Sequence, residues 1–481
     1  MKFLPDAPQT TPTILVEVEA VPTVRGYAGP PSLVSAGYAN IGAECTGAAL
    51  LFKLDGSTRL IAGTTTRLYE GGGGSWTDVS RGANYSTGDV RWTFAQFGNT
   101  TFASNKSTQL QSSTSGAFAD VANAPKCALL ETVGGFLFAA NTDDTGTGLT
   151  TGYGDQEHRW WCSPLFAPTT TWAPSITTQA NTGLLVSSPG GIKAARRLGD
   201  QIALYKDRAI HVGTYVGPPE VWRFDQVPGE VGCQSNSAVI SIGSAHLFVG
   251  YEDFYLFDGS RPVAIGEGVR EWFFDRLDKQ YAYLITGAHD RNNSSVWWWY
   301  PVNGETTLDQ AIIYNYKTQT WGHASIPITI PLLAITSGIS YDNLGASFTT
   351  YEDLPNISYD SPFWQSSSPV MAVFDQSDDL YTLTGASTSS YVQTGLLGAE
   401  GMYSFCSRVR ALYGTKPTAA NITAYQMDEA GTILDTNETT SVNGDRFDVL
   451  QSARWHAFRL SFTGPTEVQK ITPYIQSDGE E

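Results

Sequence analysis

The sequence is poor in charge, in cysteine and in methionine. Charged residues fill 16% of its 481 positions, against about a quarter in an average soluble domain. Five Cys and four Met occur. The thiols, Cys45, Cys127, Cys162, Cys233 and Cys406, are single, widely spaced and odd in number. No Cys-x-x-Cys is present, which argues against a zinc knuckle or a dithiol redox motif. The pattern is the one expected of reduced structural thiols in a protein made in a cytosol. No apolar run approaches the roughly 20 residues of a membrane-spanning helix, so no membrane insertion by this chain is expected. Pro5, Asp6 and Pro8 fall where a signal peptide needs its apolar core, so no export signal is expected. Base is scarcer than acid: 29 Lys and Arg stand against 47 Asp and Glu, a net charge of −18. That balance argues against a protein that grips nucleic acid through phosphates, which needs a net basic face. Ordinary solubility accounts for it equally well. Segments rich together in Ala, Leu, Glu and Lys are almost absent. One short helix is expected at 269–281, around Trp272, Phe273 and Leu277.

What is present is a composition of strands and turns, with 48 Gly and with Ser, Thr, Asn and Tyr in the polar positions. Two copies of one unit follow each other in 190–274. Each has an apolar run ending at a Gly (Leu198-Gly199-Asp200; Ile242-Gly243-Ser244), a strand (201–205; 246–250), a polar turn (206–208; 252–253) and a second strand around Ile210 and Val212 or Phe254 to Phe257. Alternating apolar residues predict half-buried antiparallel strands. One such hairpin cannot bury its apolar face alone, but stacked repeats can. Related units begin near Ala48, at Phe97-Gly98 and at Val133-Gly134. Another passes through Trp297-Trp298-Trp299 to Trp321-Gly322, and a vaguer one lies between Leu332 and Leu383. The Gly markers at 98, 134, 199 and 243 are 36, 65 and 44 residues apart; two of these steps match a propeller blade of about 40 residues. The long step holds an insertion, 141–157, and 340–369 reads as a long loop.

From about Gly401 the pattern changes to widely spaced alternating strands at 405–413, 421–427, 454–462 and 468–475, as in a small β-sandwich. The fold expected is all-β: a β-propeller of six to eight blades, seven fitting best, with a C-terminal β-sandwich. The domains expected are an extended N-terminal arm at 1–45, the propeller at 46–395 and the sandwich at 396–481.

Several motifs occur in a fixed order. Arg159-Trp160-Trp161-Cys162-Ser163-Pro164 comes first, then Thr171-Trp172-Ala173-Pro174-Ser175, then Gly190-Gly191-Ile192. The strand-turn-strand unit, YVGPPEVWRFDQVPGEVGC (215–233), IGSAHLFVGYEDFYLFDG (242–259) and IGEGVREWFF (265–274) follow. This series resembles the tail hub, or nozzle, proteins of short-tailed bacteriophages, also called packaged-DNA stabilisation proteins. The match is best over 150–325. The resemblance implies a propeller with an added sandwich. It also implies a ring of copies, expected to be a hexamer, below the portal and adaptor rings of a virion, meeting a plug and a tail fibre or spike. Such a ring is a structural conduit for DNA ejection that helps retain the packaged genome. It resides in the virion tail after synthesis in the bacterial host cytoplasm. An acidic wall would let double-stranded DNA slide past without specific binding. No catalytic, cofactor or metal residue is implied, so the chain is not expected to be an enzyme. Two other readings stay open: a carbohydrate-binding or glycoside-hydrolysing propeller, and a receptor-binding tail protein.

Asp143, Asp144, Asp155 and Glu157 cluster in the Gly-rich insertion and are assigned to an acidic tip or channel loop; their spacing is not that of an EF-hand. Trp298 lies in a run of three Trp, which on a strand face alternate sides; it is assigned to a subunit interface as an exposed ring, with packing between adjacent blades as the other reading. Arg454 and Arg459, beside Trp455 and Phe458, are expected to pair with acids of a neighbouring subunit. The six His (158, 211, 246, 289, 323 and 456) lack any triad context and are read as strand or turn residues. Gly-x-Ser-x-Gly is absent. Asp253 and Asp275 remain as carboxylates that a glycosidase could use.

Overall fold

The computed structural model describes the chain apart from Pro12, 87–90, 336–368, 399–401, 429–431, Asn443 and Glu481. The expected long loop at 340–369 therefore lies, except for Pro369, outside the described residues. The fold is all-β, built of four-stranded antiparallel blades and a β-sandwich. Among the described residues, seven four-stranded sheets occur. Two compact units divide the chain.

The unit made of Leu33–Glu230 and Ile328–Thr384 carries five of the blades. Four follow one another at 45–78, 93–120, 126–184 and 194–226. The fifth joins Ile330–Ile335, Pro369–Phe374 and Leu380–Gly385 to Ser32–Ser35 from the start of the chain. The Gly markers earn their place by backbone geometry. Gly98, Gly134 and Gly199 sit at the first hairpin turn of their blades with φ of 58°, 56° and 62°, a region that side chains disfavour.

Blades pack face to face through large side chains. Trp222 of the fourth blade meets Phe138 of the third edge-on, with centroids 4.8 Å apart. Trp92, leading into the second blade, lies so close to Gly63 of the first that a Cβ there would come within 2.4 Å of the indole. Polar staples supplement the packing. Arg59 of the first blade is 2% exposed and grips Glu70 with two parallel bonds of 2.7 and 2.8 Å. Its remaining donors reach Ser113 and the Gly116 carbonyl of the second blade. Burial on both faces changes the expected strand pattern. Gln201–Tyr205 and His246–Val249 are buried almost throughout instead of half-buried, because a neighbouring layer covers each side of a blade's second strand.

The other unit comprises Met1–Ser32, Val231–Pro327 and Gly385–Glu481. It holds two blades, at 239–264 and 286–328, and two larger sheets. The seven-stranded sheet runs Lys2–Phe3, Ile14–Glu19, Ser389–Thr394, Trp455–Thr463, Ala419–Met427, Ile433–Thr440, with Leu397–Gly398 also on Trp455–Thr463. The five-stranded sheet runs Val21–Pro22, Tyr27–Ala28, Glu467–Glu480, Met402–Thr415, Arg446–Ala453. Their inner faces share one apolar core with the two blades, including Leu15, Val18, Val409, Phe447, Ile422, Leu460 and Trp298.

The expected organisation needs three corrections here. The arm at 1–45 does not merely lie on a surface. Its strands are paired members of both sandwich sheets, because Phe3, Leu15 and Val18 are apolar enough to enter the core. Ser389–Thr394, expected in the propeller, pairs with Ile14–Glu19 and Trp455–Thr463. The helix is shorter than 269–281 and spans Arg270–Arg276, after which Leu277 turns extended. The Asp6 carboxylate caps it from the arm, accepting Glu271 N–H at 2.8 Å and Trp272 N–H at 2.7 Å.

Arg59→Ala should lower stability by about 3 kcal/mol, since it leaves Glu70 without its partner and removes the donors that tie Ser113 and the Gly116 carbonyl to the first blade. Urea unfolding followed by tryptophan fluorescence measures this, and a loss below about 1 kcal/mol would show that the staple is incidental.

Candidate functional site

The insertion of the third blade is where the sequence concentrates acid. It connects Phe136–Asp143 to Asp155–Cys162, and a register shift between Ala140 and Thr142 bulges the first strand as it enters. Its acids do not form an open cluster. Asp143 pairs with Lys126 at 3.2 Å across the sheet. Asp155 pairs with Lys106 at 2.8 Å, and Lys106 also donates to Asn141 Oδ1 at 2.7 Å. Asp144 is buried, at 4% exposure. It accepts the Thr151 hydroxyl at 2.5 Å and the Tyr153 and Gly154 N–H groups at 3.0 and 2.6 Å. Burial pushes its carboxyl up, but these three bonds outweigh it and hold the group below its ordinary value. Glu157 stays exposed, its side chain lying over the backbone of Gly191. Beneath the loop, the Arg159 guanidinium stacks 3.6 Å from the Tyr153 ring centroid.

Of the four acids assigned to a tip or channel loop, two are paired with lysines and a third is spent on folding the loop. Lys126 and Lys106 come from a paired strand and from the second blade, so no local pattern could have matched them to these acids. Among the described residues, no group of three or more His, Cys, Asp or Glu is arranged to hold a metal ion.

The expected exposure of Trp298 is corrected. Trp298 is fully buried, its indole N–H donates to the Ala238 carbonyl at 2.9 Å, and its ring lies 5.5 Å from Phe254. Trp297 and Trp299 stack on the opposite face, also buried. Alternation does place the three rings on two sides, but both sides are covered. Arg459 stacks 3.7 Å over Tyr391 and faces Glu17 at 3.8 Å, within its own chain. Arg454 lies 5.6 Å over Tyr403.

All six histidines lie on strands. One of them sits in an arrangement that resembles a nucleophile and base. His456 Nε2 is 3.1 Å from Ser404 Oγ, and Gln451 Nε2 is 2.9 Å from His456 Nδ1. The proton is on the wrong nitrogen for that chemistry. Gln451 Nε2 can only donate, so Nδ1 accepts and Nε2–H donates to the Ser404 carbonyl at 3.0 Å. With no lone pair facing it, Ser404 is not activated, and its hydroxyl donates to the Ala453 carbonyl at 3.2 Å. Ser404 borders a cavity of about 390 Å3 with Leu397, Met402, Tyr403 and Ile475, which is apolar in character. Asp253 is likewise structural: its carboxylate accepts Phe254 and Gly266 N–H and holds a hairpin closed. Asp275 lies exposed on the short helix.

The Asp144 bonds set an acid limit on the loop. A depressed carboxyl contributes stability that is fully present above the unfolded value of 3.8 and is lost as pH falls through the lower folded value. Asp144→Asn should cost about 1–3 kcal/mol and open the loop to protease, whereas Asp155→Asn should cost at most about 1 kcal/mol. Calcium should leave the melting temperature of the wild-type chain unchanged; a calcium-dependent rise would show that the loop holds a metal ion after all.

No family model matches the chain, and no curated protein matches it. Among solved structures it is similar to YCF48 bound to D1 peptide, at 12% identity over 63% of this chain and 87% of that one, with a TM-score of 0.35. It is also similar to YCF48 from Cyanidioschyzon merolae, at 11% identity over 64% and 88%, with a TM-score of 0.31. Scores this low carry no argument about function.

Proposed function

We propose that the chain is a structural subunit of the nozzle of a short-tailed bacteriophage tail. Copies of it form a ring, expected to be six-fold, that meets an adaptor ring above and a plug and fibre or spike below. The ring acts as a conduit for ejected DNA and helps to retain the packaged genome. It works through self-association, shape and charge, with no bond made or broken.

The observation that carries this reading is the order of the motifs that resemble the nozzle family. Between Arg159 and Phe274 they are spread over three successive blades: the strand Asp155–Cys162, the four strands of 194–226, and His246–Val249 with Phe254–Phe257, while 171–175 and 190–192 lie in the connections and 265–274 runs into the helix Arg270–Arg276. The sandwich then follows in the place the resemblance implies. The net charge of −18 supports passage of duplex DNA without capture.

A carbohydrate-binding propeller is the second reading, and one patch favours it. Tyr215 is 43% exposed beside Phe136 and Trp222, and its hydroxyl donates to Gln179 Oε1 at 2.6 Å, which pre-orients the ring for stacking on a sugar.

Native mass spectrometry and cryo-electron microscopy of the chain, alone and with the other tail components, should show a closed ring around a channel wide enough for a duplex. The chain should bind free duplex DNA more weakly than roughly 10⁻⁴ M at physiological salt. A chain that stays monomeric beside every tail component would sink the nozzle reading. Glycan-array binding that is lost in Tyr215→Ala would establish the second.

A further inference from the structure

The segment 185–191 links the last strand of the third blade to the first strand of the fourth, and three basic side chains converge on it. Lys206 is fully buried; its ammonium donates to the Leu185 carbonyl at 2.8 Å and, by a very short bond, to the Ser188 carbonyl. His211, 2% exposed, is hydrogen-bonded through Nε2 to the Ser188 hydroxyl at 2.9 Å. His158 Nδ1–H donates to the Gly190 carbonyl at 2.8 Å. Backbone bonds anchor both ends, from Leu185 N–H to His158 O and from Ile192 N–H to Glu157 O. The backbone of Gly190 lies against the Asp207 carboxylate so closely that a Cβ there would come within 1.9 Å of it.

The electrostatics of this arrangement are one-sided. The strands flanking His211 place Leu204 and Gln226 opposite it, neither of which ionises. Lys206 is the charged group facing it from the adjoining turn. Asp207 acts on Lys206 and pairs with Lys193 at 3.6 Å, and Glu157 lies over Gly191. Protonating His211 would therefore set a second buried cation beside the first, with no carboxylate in contact with it.

We propose that 185–191 is an acid-sensitive latch between the third and fourth blades, closed at neutral pH by Lys206, His158 and neutral His211, and released when His211 takes a proton. The sign follows from linkage. Burial and the Lys206 charge lower His211 from 6.5 to about 4 in the closed state. The open state titrates near the ordinary value, so it binds more protons between these limits. Closure is complete above about pH 6.5 and weakens as pH falls toward the closed-state value. At about pH 5 the open population should be roughly 30-fold larger than at about pH 7.5.

Hydrogen–deuterium exchange on the full-length chain tests this, with rates corrected for intrinsic exchange. Amides of 185–193 should lose protection roughly 30-fold between about pH 7.5 and 5, with the strands of blades three and four unchanged. His211→Gln, which keeps a hydrogen-bonding group near the Nε2 position but cannot ionise, should remove that pH dependence. His323→Gln, in the other compact unit, should leave it in place. Protection of 185–193 that does not change with pH in the wild type, or the same pH dependence in His211→Gln, would overturn the proposal. A His211→Gln chain that fails to fold leaves the wild-type profile and His323→Gln to decide: loss of the local pH dependence in His323→Gln would then overturn it.

Discussion

A four-stranded blade is apolar on both faces and needs a layer on each. That requirement shapes most of this molecule. It explains why second strands such as Ser295–Tyr300 are buried at every residue and why rings at Trp92, Trp222 and Trp298 occupy the joints. Apolar burial contributes about 25 cal/mol per Å2, and aromatic side chains bring the most area per residue. With charged residues at only 16%, few ion pairs are available to share the work. Those that are buried, such as Arg59–Glu70, sit where a hairpin of one blade meets a turn of the next.

The same requirement governs the polar groups. Two carboxylates that look functional in the sequence turn out to close backbone, Asp144 folding its loop and Asp253 pinning a hairpin, and Asp6 likewise caps a helix. Each accepts two or more N–H groups that would otherwise lack partners, and an unmade bond at such a site costs more than a made one contributes. The serine–histidine contact at Ser404 and His456 belongs to this class, its tautomer fixed by an amide that can only donate. An acid or a histidine in a chain of turns and strands is often a backbone ligand first.

Much of the fold was legible in the residues because its signals are local. The Gly at 98, 134 and 199 mark hairpin turns that demand a left-handed backbone, and their spacing sets the blade period. Strands at 201–205 and 421–427 were legible from apolar character within a few residues. The strand Ile433–Thr440 was not, since Asp435, Thr436, Asn437 and Glu438 make an edge strand read as a loop. The apolar run from Ile14 to Val21 does read as a strand, as found at Ile14–Glu19, but the strands it and its neighbours pair with lie hundreds of residues away, out of reach of any local pattern. The candidate site was legible only as composition. Four acids within 141–157 show that charge is concentrated, but Lys106 and Lys126 reach them through sheet pairing and blade contact, which no spacing rule encodes. The Trp run showed two faces without saying what covered them.

The placement of the first 35 residues has a consequence for how the protein comes into being. Ile14–Glu19 pairs with Ser389–Thr394, Tyr27–Ala28 with Glu467–Glu480, and Ser32–Ser35 completes a sheet with Leu380–Gly385. Those partners are made hundreds of residues later. At roughly 5–20 residues per second, the start of the chain waits on the order of half a minute on the ribosome before its partners emerge. During that wait Leu15, Val18 and Phe3 are unshielded, and unpaired strand edges of this kind recruit foreign chains. The internal blades, whose strands are neighbours in sequence, can form in the meantime and need little loop closure. Birth order and assembly order are therefore reversed for these early strands, which are sheltered by segments made hundreds of residues after them.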